Sequence, residues 1–320
     1  MLIRLALASI IAVGAAGAAS AAASAGLAAR SARPAHAPRW GEDGHLMSGA
    51  AAAGALPAAM PAFFRQAAPQ LAYLNPEPDR WRDRAERDRD RALDGATGFE
   101  HYVDLELIPP ARRAAALGAP SRLAFFDTLR AAGADPAGVG VLPFRIVELT
   151  QQLRTSFRRW RAAPDAATRR WVEQRIVNDA GILGHYVADG ANPAHTTVHH
   201  NGWVGPNPKG YATDKQFHGR FESGYVRARI TERDVRRAVR GAPQAFPDVR
   251  AAVLAYLTRS HGEVERLYAL DKAAPFDSTT TAPANRAFAV ERLGDGATML
   301  RDLWWTAWVT SADSAAAPPR

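Results

Sequence analysis

The stretch DAATRRWVEQRIVNDAGILGHYVADGANPAH, Asp165 to His195, is the one from which the fold is read. Trp171, Ile176, Ala180, Leu183 and Val187 recur at near-helical intervals, the apolar stripe of a core-facing helix over residues 165–189. Asp165, following Pro164, supplies the N-cap. Within this helix His185 and Asp189 lie four residues apart, so they stack on one face with Cβ atoms about 5–6 Å from each other. From that distance both side chains reach one metal ion. Downstream, His218-Gly219-Arg220-Phe221-Glu222 repeats the spacing. One such pair is as well explained by an ordinary hydrogen bond; two pairs and His195 point to a metal. Zinc, which takes nitrogen and oxygen donors at short range, suits them.

Working outward, apolar side chains at three- and four-residue intervals predict a helix over residues 141–160. Further helices are expected over residues 46–56, 62–74, 80–93, 122–132, 216–230, 247–270 and 286–310. Asn75-Pro76-Glu77-Pro78, Ile108-Pro109-Pro110 and the Gly/Asn/Pro-rich residues 201–210 mark loops. Alternating strand pattern is scarce and no repeat is present. The reading is a single all-α, multi-helix domain with long loops, residues 40–310, in which Trp304, Trp305 and Trp308 are core or interface anchors.

With 320 residues and 47% apolar content the chain can bury a full core. It has no cysteine, which excludes thiolate ligands, disulfides and a cysteine nucleophile. Any metal site must be built from His, Asp, Glu and backbone or terminal groups. Residues 1–39 read as an export signal and lead-in: Arg4 gives a short basic start, residues 5–13 are strongly apolar, and an Ala/Gly/Ser tract with small-x-small sites follows. The protein is therefore expected to be exported, periplasmic or secreted. The alternative is an uncleaved membrane anchor, for which residues 5–29 are long enough. Residues 311–320 read as a disordered tail.

Removing Arg4, Arg30, Arg33 and Arg39 lowers the basic count from 40 to 36 against 32 acidic residues, so a net charge of +8 becomes +4. That suits an anionic substrate but lacks the dense basic stripe of a duplex-DNA binder. Of the nine histidines, His36, His199, His200 and His261 are read as structural.

Trp40 with His45, Trp81-Arg82-Asp83, His101-Tyr102-Val103-Asp104, His185-x3-Asp189-x5-His195 and His218-x3-Glu222, in that order, resemble the zinc-dependent phospholipase C and single-strand-specific nuclease superfamily. Any one piece is common; the ordered set is specific. It covers residues 40–222 and leaves the last third of the chain unmatched. The resemblance implies an all-helical, secreted phosphodiesterase with long loops around a cleft of three zinc ions. It implies that Asp83, His101, His185 and Asp189 hold one zinc, His195, His218 and Glu222 a second, and that Asp189 bridges to a third. The third would be held by His45 with the α-amine and carbonyl of Trp40. An amide nitrogen is no zinc ligand, so this third ion requires Trp40 to be the mature terminus. Pro38-Arg39 is not a small-x-small cleavage site, so a second trimming step would be needed.

The chemistry that this implies is hydrolysis of phosphate esters by a zinc-bound hydroxide, with Asp83 orienting or deprotonating the attacking water. The short Trp40-to-His45 spacing resembles the nucleases, and Tyr102 and Asp104 fall where those enzymes stack a base and hydrogen-bond its edge. Tyr102 is equally well read as core packing. Glu222 in place of Asp resembles the phospholipases. Single-stranded nucleic acid is the first expectation and a phospholipid head group the alternative; no obligate protein partner is inferred. A non-catalytic exported zinc-binding protein is the third reading. No HExxH string marks a metallopeptidase and no paired Glu-x-x-His motifs mark a di-iron bundle.

Overall fold

The computed structural model describes residues 41–312. Among them every regular element is a helix, and the one β-type pairing is an isolated bridge between His200 and Gly202. The export signal and lead-in expected over residues 1–39, the terminal ligand expected at Trp40 and the tail over residues 313–320 lie outside the described residues. Six helices make up the packed centre: α1 (Glu42–Gly54), α2 (Ala68–Leu74), α3 (Leu142–Arg161), α4 (Ala166–Ala191), α5 (Val249–His261) and α6 (Pro283–Thr310).

Helix α4 is the hub, packed against α1, α2, α3, α5 and α6. Asp165 caps it as expected, its carboxylate accepting the Thr168 N–H at 2.7 Å, a contact worth about 1 kcal/mol. The C-terminal half of α4 is buried all round, Ile176, Val177 and every residue from Asp179 to Ala191 included. The N-terminal half is not. Trp171, read as part of the core stripe, is 67% exposed and lines an open groove between α4 and α3.

Two glycines set how closely α4 is approached. A Cβ on Gly181 would stand 2.4 Å from the Leu74 Cβ, and one on Gly184 would stand 2.2 Å from the Asn75 side-chain nitrogen. Their absence lets α2 and the turn after it rest on the α4 backbone, beside His185. On another face Trp304 of α6 is fully buried and donates its indole N–H to the Ala180 carbonyl at 3.1 Å. Trp308 is half-exposed, stacked under the Arg161 guanidinium at 3.4 Å, with its N–H on the Ala59 carbonyl.

Several expected helices are interrupted, for local reasons. Residues 62–74 divide at Ala67 into Ala62–Gln66 and α2, with Pro69 in the first turn of α2. Residues 80–93 hold no continuous helix; Asp83 and Asp90 take the Glu86 and Ala92 N–H groups, and capping replaces propagation. Residues 247–270 divide between α5 and Val264–Ala273. Residues 216–230 form one rod, but residues Arg220–Tyr225 are wound as a π-helix. Pro110–Leu117 and Glu232–Ala238, the latter with a full capping box from Thr231 and Asp234, are helices that periodicity did not single out.

Candidate metal centre

Three groups of side chains bring ligand atoms within 4.8 Å of one another: His101, His185 and Asp189; His195, His218 and Glu222; and His45, Asp79 and His185. This matches the expectation of up to three zinc sites. Each helix-borne pair arises as the spacing requires. His185 Nε2 lies 3.3 Å from Asp189 Oδ2 on α4, and His218 Nε2 lies 2.9 Å from Glu222 Oε2 across the start of the π-helix. The wider π winding is a known companion of functional sites, since it re-aims side chains without ending the rod.

What aims the imidazoles is the backbone on their far side. The ring nitrogen Nδ1 faces a carbonyl in three cases: His185 with Asn75 at 3.0 Å, His195 with His101 at 2.7 Å, and His218 with His200 at 3.0 Å. A carbonyl only accepts, so Nδ1 carries the proton and donates, leaving the lone pair on Nε2. Those Nε2 atoms then point at carboxylate oxygens and at each other. His195 Nε2 lies 3.4 Å from the Glu222 oxygen that His218 approaches, and Asn192 donates to that same oxygen at 3.1 Å. His101 presents Nδ1 instead, 2.9 Å from both Asp189 Oδ2 and His185 Nε2.

Lone pairs gathered this closely repel unless a cation lies among them. A second ring proton relieves one contact; a metal ion relieves all of them at once, and the nitrogen and oxygen donors are those zinc takes. His45 makes the same point from a different side. It is fully buried, its Nε2 has no hydrogen-bond partner, and it lies 3.6 Å from Asp189 Oδ1. Burial, and then the neighbouring His185, push its imidazole down from the usual 6.5 to about 4, so the ring is neutral at pH 7 and has a lone pair to give. The residues present therefore fit bound metal.

Asp189 occupies the middle. Its Oδ2 faces His101 and His185, while its Oδ1 faces His45 and also lies 3.7 Å from His195 Nδ1. Beneath this cluster the Tyr186 ring packs against His101 and His185, each with centroids 5.3 Å apart, and its hydroxyl donates to Glu100 at 3.2 Å. Arg145 pairs with that same Glu100 oxygen and Arg122 with the other.

Asp83 is not brought to the cluster. It is exposed, the N-cap of helix Arg84–Arg89, with its carboxylate accepting the Glu86 N–H at 3.0 Å. Asp79 stands where Asp83 was expected, 4.0 Å from His45 and His101 and 3.8 Å from His185. Both acids flank Trp81 closely enough that a motif match does not separate them; the short helix Glu77–Arg80, unforeseen in a Pro-rich loop, turns the first of them inward. Tyr102 and Asp104 are buried. The Tyr102 hydroxyl donates to the Ala137 carbonyl at 2.7 Å and its ring abuts the positive-φ Gly140, where a Cβ would stand 2.7 Å from Cδ2. This is the core-packing alternative. Gly41, the first described residue, donates its N–H to the Glu222 carbonyl at 3.3 Å.

The groove between α3 and α4, about 620 Å³ and lined by Gln151, Thr155, Arg159 and Trp171, carries none of these ligands. No family model matches the chain, and no curated protein or solved structure matches it. The all-helical architecture with its three histidine- and carboxylate-rich clusters is consistent with a metal-dependent hydrolase in general.

Proposed function

We propose that the protein is an exported, zinc-dependent phosphodiester hydrolase of the phospholipase C and single-strand nuclease type. The observation that carries this is Asp189: one carboxylate whose two oxygens face different histidine clusters, as a group shared between adjacent metal ions must. His101, His185, Asp189 and Asp79 would hold one zinc, His195, His218 and Glu222 a second, and His45 with Asp189 part of a third, to which the Trp40 amine would contribute if that residue is the mature terminus. Zinc held there supplies a water acidic enough to attack phosphorus at neutral pH and positive charge against the phosphate oxygens.

The chain's own contribution is orientation. The carbonyls of Asn75, His101 and His200 fix which imidazole nitrogen faces inward, and Asn192 steadies Glu222. Asp79 is the cluster carboxylate that keeps solvent contact, its side chain 27% exposed against none for Asp189 and Glu222. We assign to it the water-orienting role first read onto Asp83.

Single-stranded nucleic acid is the substrate placed first, on the Trp40-to-His45 spacing and the mildly basic balance. Glu222 favours the phospholipid alternative, since its longer side chain is the phospholipase-like feature of the ligand set. Purified mature protein should contain more than one zinc per chain and cleave single-stranded DNA faster than a phosphatidylcholine emulsion. The reverse preference selects the phospholipase, and under one zinc with neither activity ends the hydrolase reading.

A further inference from the structure

In the sequence Asn75 does no more than mark a loop, yet in the fold it touches two of the three clusters. It is fully buried, between α2 and Pro76. Its backbone carbonyl accepts from His185 Nδ1 at 3.0 Å, and its side-chain Oδ1 lies 3.2 Å from His45 Nδ1. The two imidazoles are stacked, with ring centroids 4.0 Å apart and planes within 17°. Both rings therefore hang by the same edge from one residue. Their opposite edges, the Nε2 atoms, face Asp189 and Asp79.

The two contacts differ in kind. The carbonyl has no choice but to accept, whereas a side-chain amide can present either its oxygen or its nitrogen. With Oδ1 toward His45, Nδ1 is protonated and Nε2 keeps the lone pair. With the amide turned over, Nδ1 would have to accept, the proton would move to Nε2, and His45 could bind no metal. Asn75 Nδ2 has no hydrogen-bond partner among the described residues and is packed over Gly184 and Gly49, where Cβ atoms would stand 2.2 and 2.9 Å away. Among the described residues His45 is thus the one hydrogen-bonding partner that the amide has. Amide orientation and His45 tautomer are set together.

We infer that Asn75 is a positioning residue for two metal sites, and that its side-chain amide selects the His45 tautomer on which the third site depends. This rests on the metal-centre reading above. The side chain serves His45 alone, because the contact to His185 is made by the backbone and survives any substitution. Removing the amide should therefore weaken one site and spare the others.

The test is zinc content under graded chelator, with the wild type beside Asn75→Ala and Asn75→Asp, together with imidazole nitrogen–proton correlation spectra of metal-free protein. Asn75→Ala should release one zinc at about 10- to 100-fold lower chelator concentration, the scale for losing a partner behind a ligand, with the remaining zinc unchanged. Asn75→Asp, which can only accept, should restore wild-type retention. The wild-type spectrum should show His45 protonated at Nδ1. Equal chelator profiles for Asn75→Ala and wild type, loss of every zinc together, or a His45 proton on Nε2 in the wild type each overturns the inference. If the wild type binds no zinc, the functional reading fails instead, and the His45 spectrum still decides the role of Asn75.

Discussion

At the scale of single residues, Asp79 and Asp83 separate a proposed ligand from a helix cap. Asp79→Asn should lower zinc content or retention, because an amide oxygen is a poorer donor than a carboxylate. Asp83→Asn should leave zinc unchanged and cost little, since Asn caps as well as Asp, while Asp83→Ala should cost about 1 kcal/mol in urea unfolding. Asp189→Ala should reduce phosphodiester hydrolysis by more than about 100-fold, beyond what losing a partner behind a ligand brings, with helical circular dichroism retained. His45 adds a pH dependence. In zinc-free protein the unfolded chain takes this proton near 6.5 and the folded chain only near 4. Between those values the unfolded state binds more protons, so the stabilisation is fully present above about pH 6.5 and is lost as pH falls through about 4. The limiting loss is about 3 kcal/mol. Denaturant unfolding in chelator at pH 7 and pH 4.5 measures it, and His45→Gln should flatten this dependence.

At the scale of elements, the approach of α2 to α4 is what the site stands on. Gly184→Ala places a methyl 2.2 Å from the Asn75 nitrogen and 3.0 Å from Leu300, so Asn75 or α6 must move. The expected cost is about 1–3 kcal/mol in urea unfolding, as for overpacking elsewhere, with chelator resistance of bound zinc falling in the same variant. Element positions were legible where side-chain period and burial agree: α3, α4 and α6 are long, and α4 starts at the cap read for it. They were illegible where backbone choices are local. Asp83 starts and Asp90 ends a short helix where propensity would run a longer one, and the π winding over Arg220–Tyr225 leaves no mark in an i, i+4 pattern.

At the scale of the whole molecule, ligands from residues 45 to 222 meet around one helix, so metal binding ties together segments distant in sequence. Anything that binds the folded state alone stabilises it, by about 2.7 kcal/mol per site when the free ligand is a hundredfold above its Kd. Chelation should then lower the Tm by on the order of 5–10 °C for each vacated site, read by calorimetry with and without chelator. A Tm unmoved by chelator would count against structural coupling between the clusters.

Much of this centre was readable without coordinates: the helical class, the capped start of α4, the two i, i+4 ligand pairs, and the presence of His45, His101 and His195 in motif order. The helix and the two pairs follow from spacing, which along a helix is geometry; His45 and His101 stand out only through the family resemblance, since spacing alone does not single them out. The tertiary structure alone decided three things. It set Asp79 beside the histidines and Asp83 away from them, because a turn of helix faces one acid inward while a cap holds the other out. It placed Tyr102 in the core, because Ala137 and Gly140 close around it. And it gave the histidines their tautomers, because Asn75, His101 and His200 present carbonyl groups from segments that sequence separation hides, and only contact in space makes an acceptor meet a ring nitrogen.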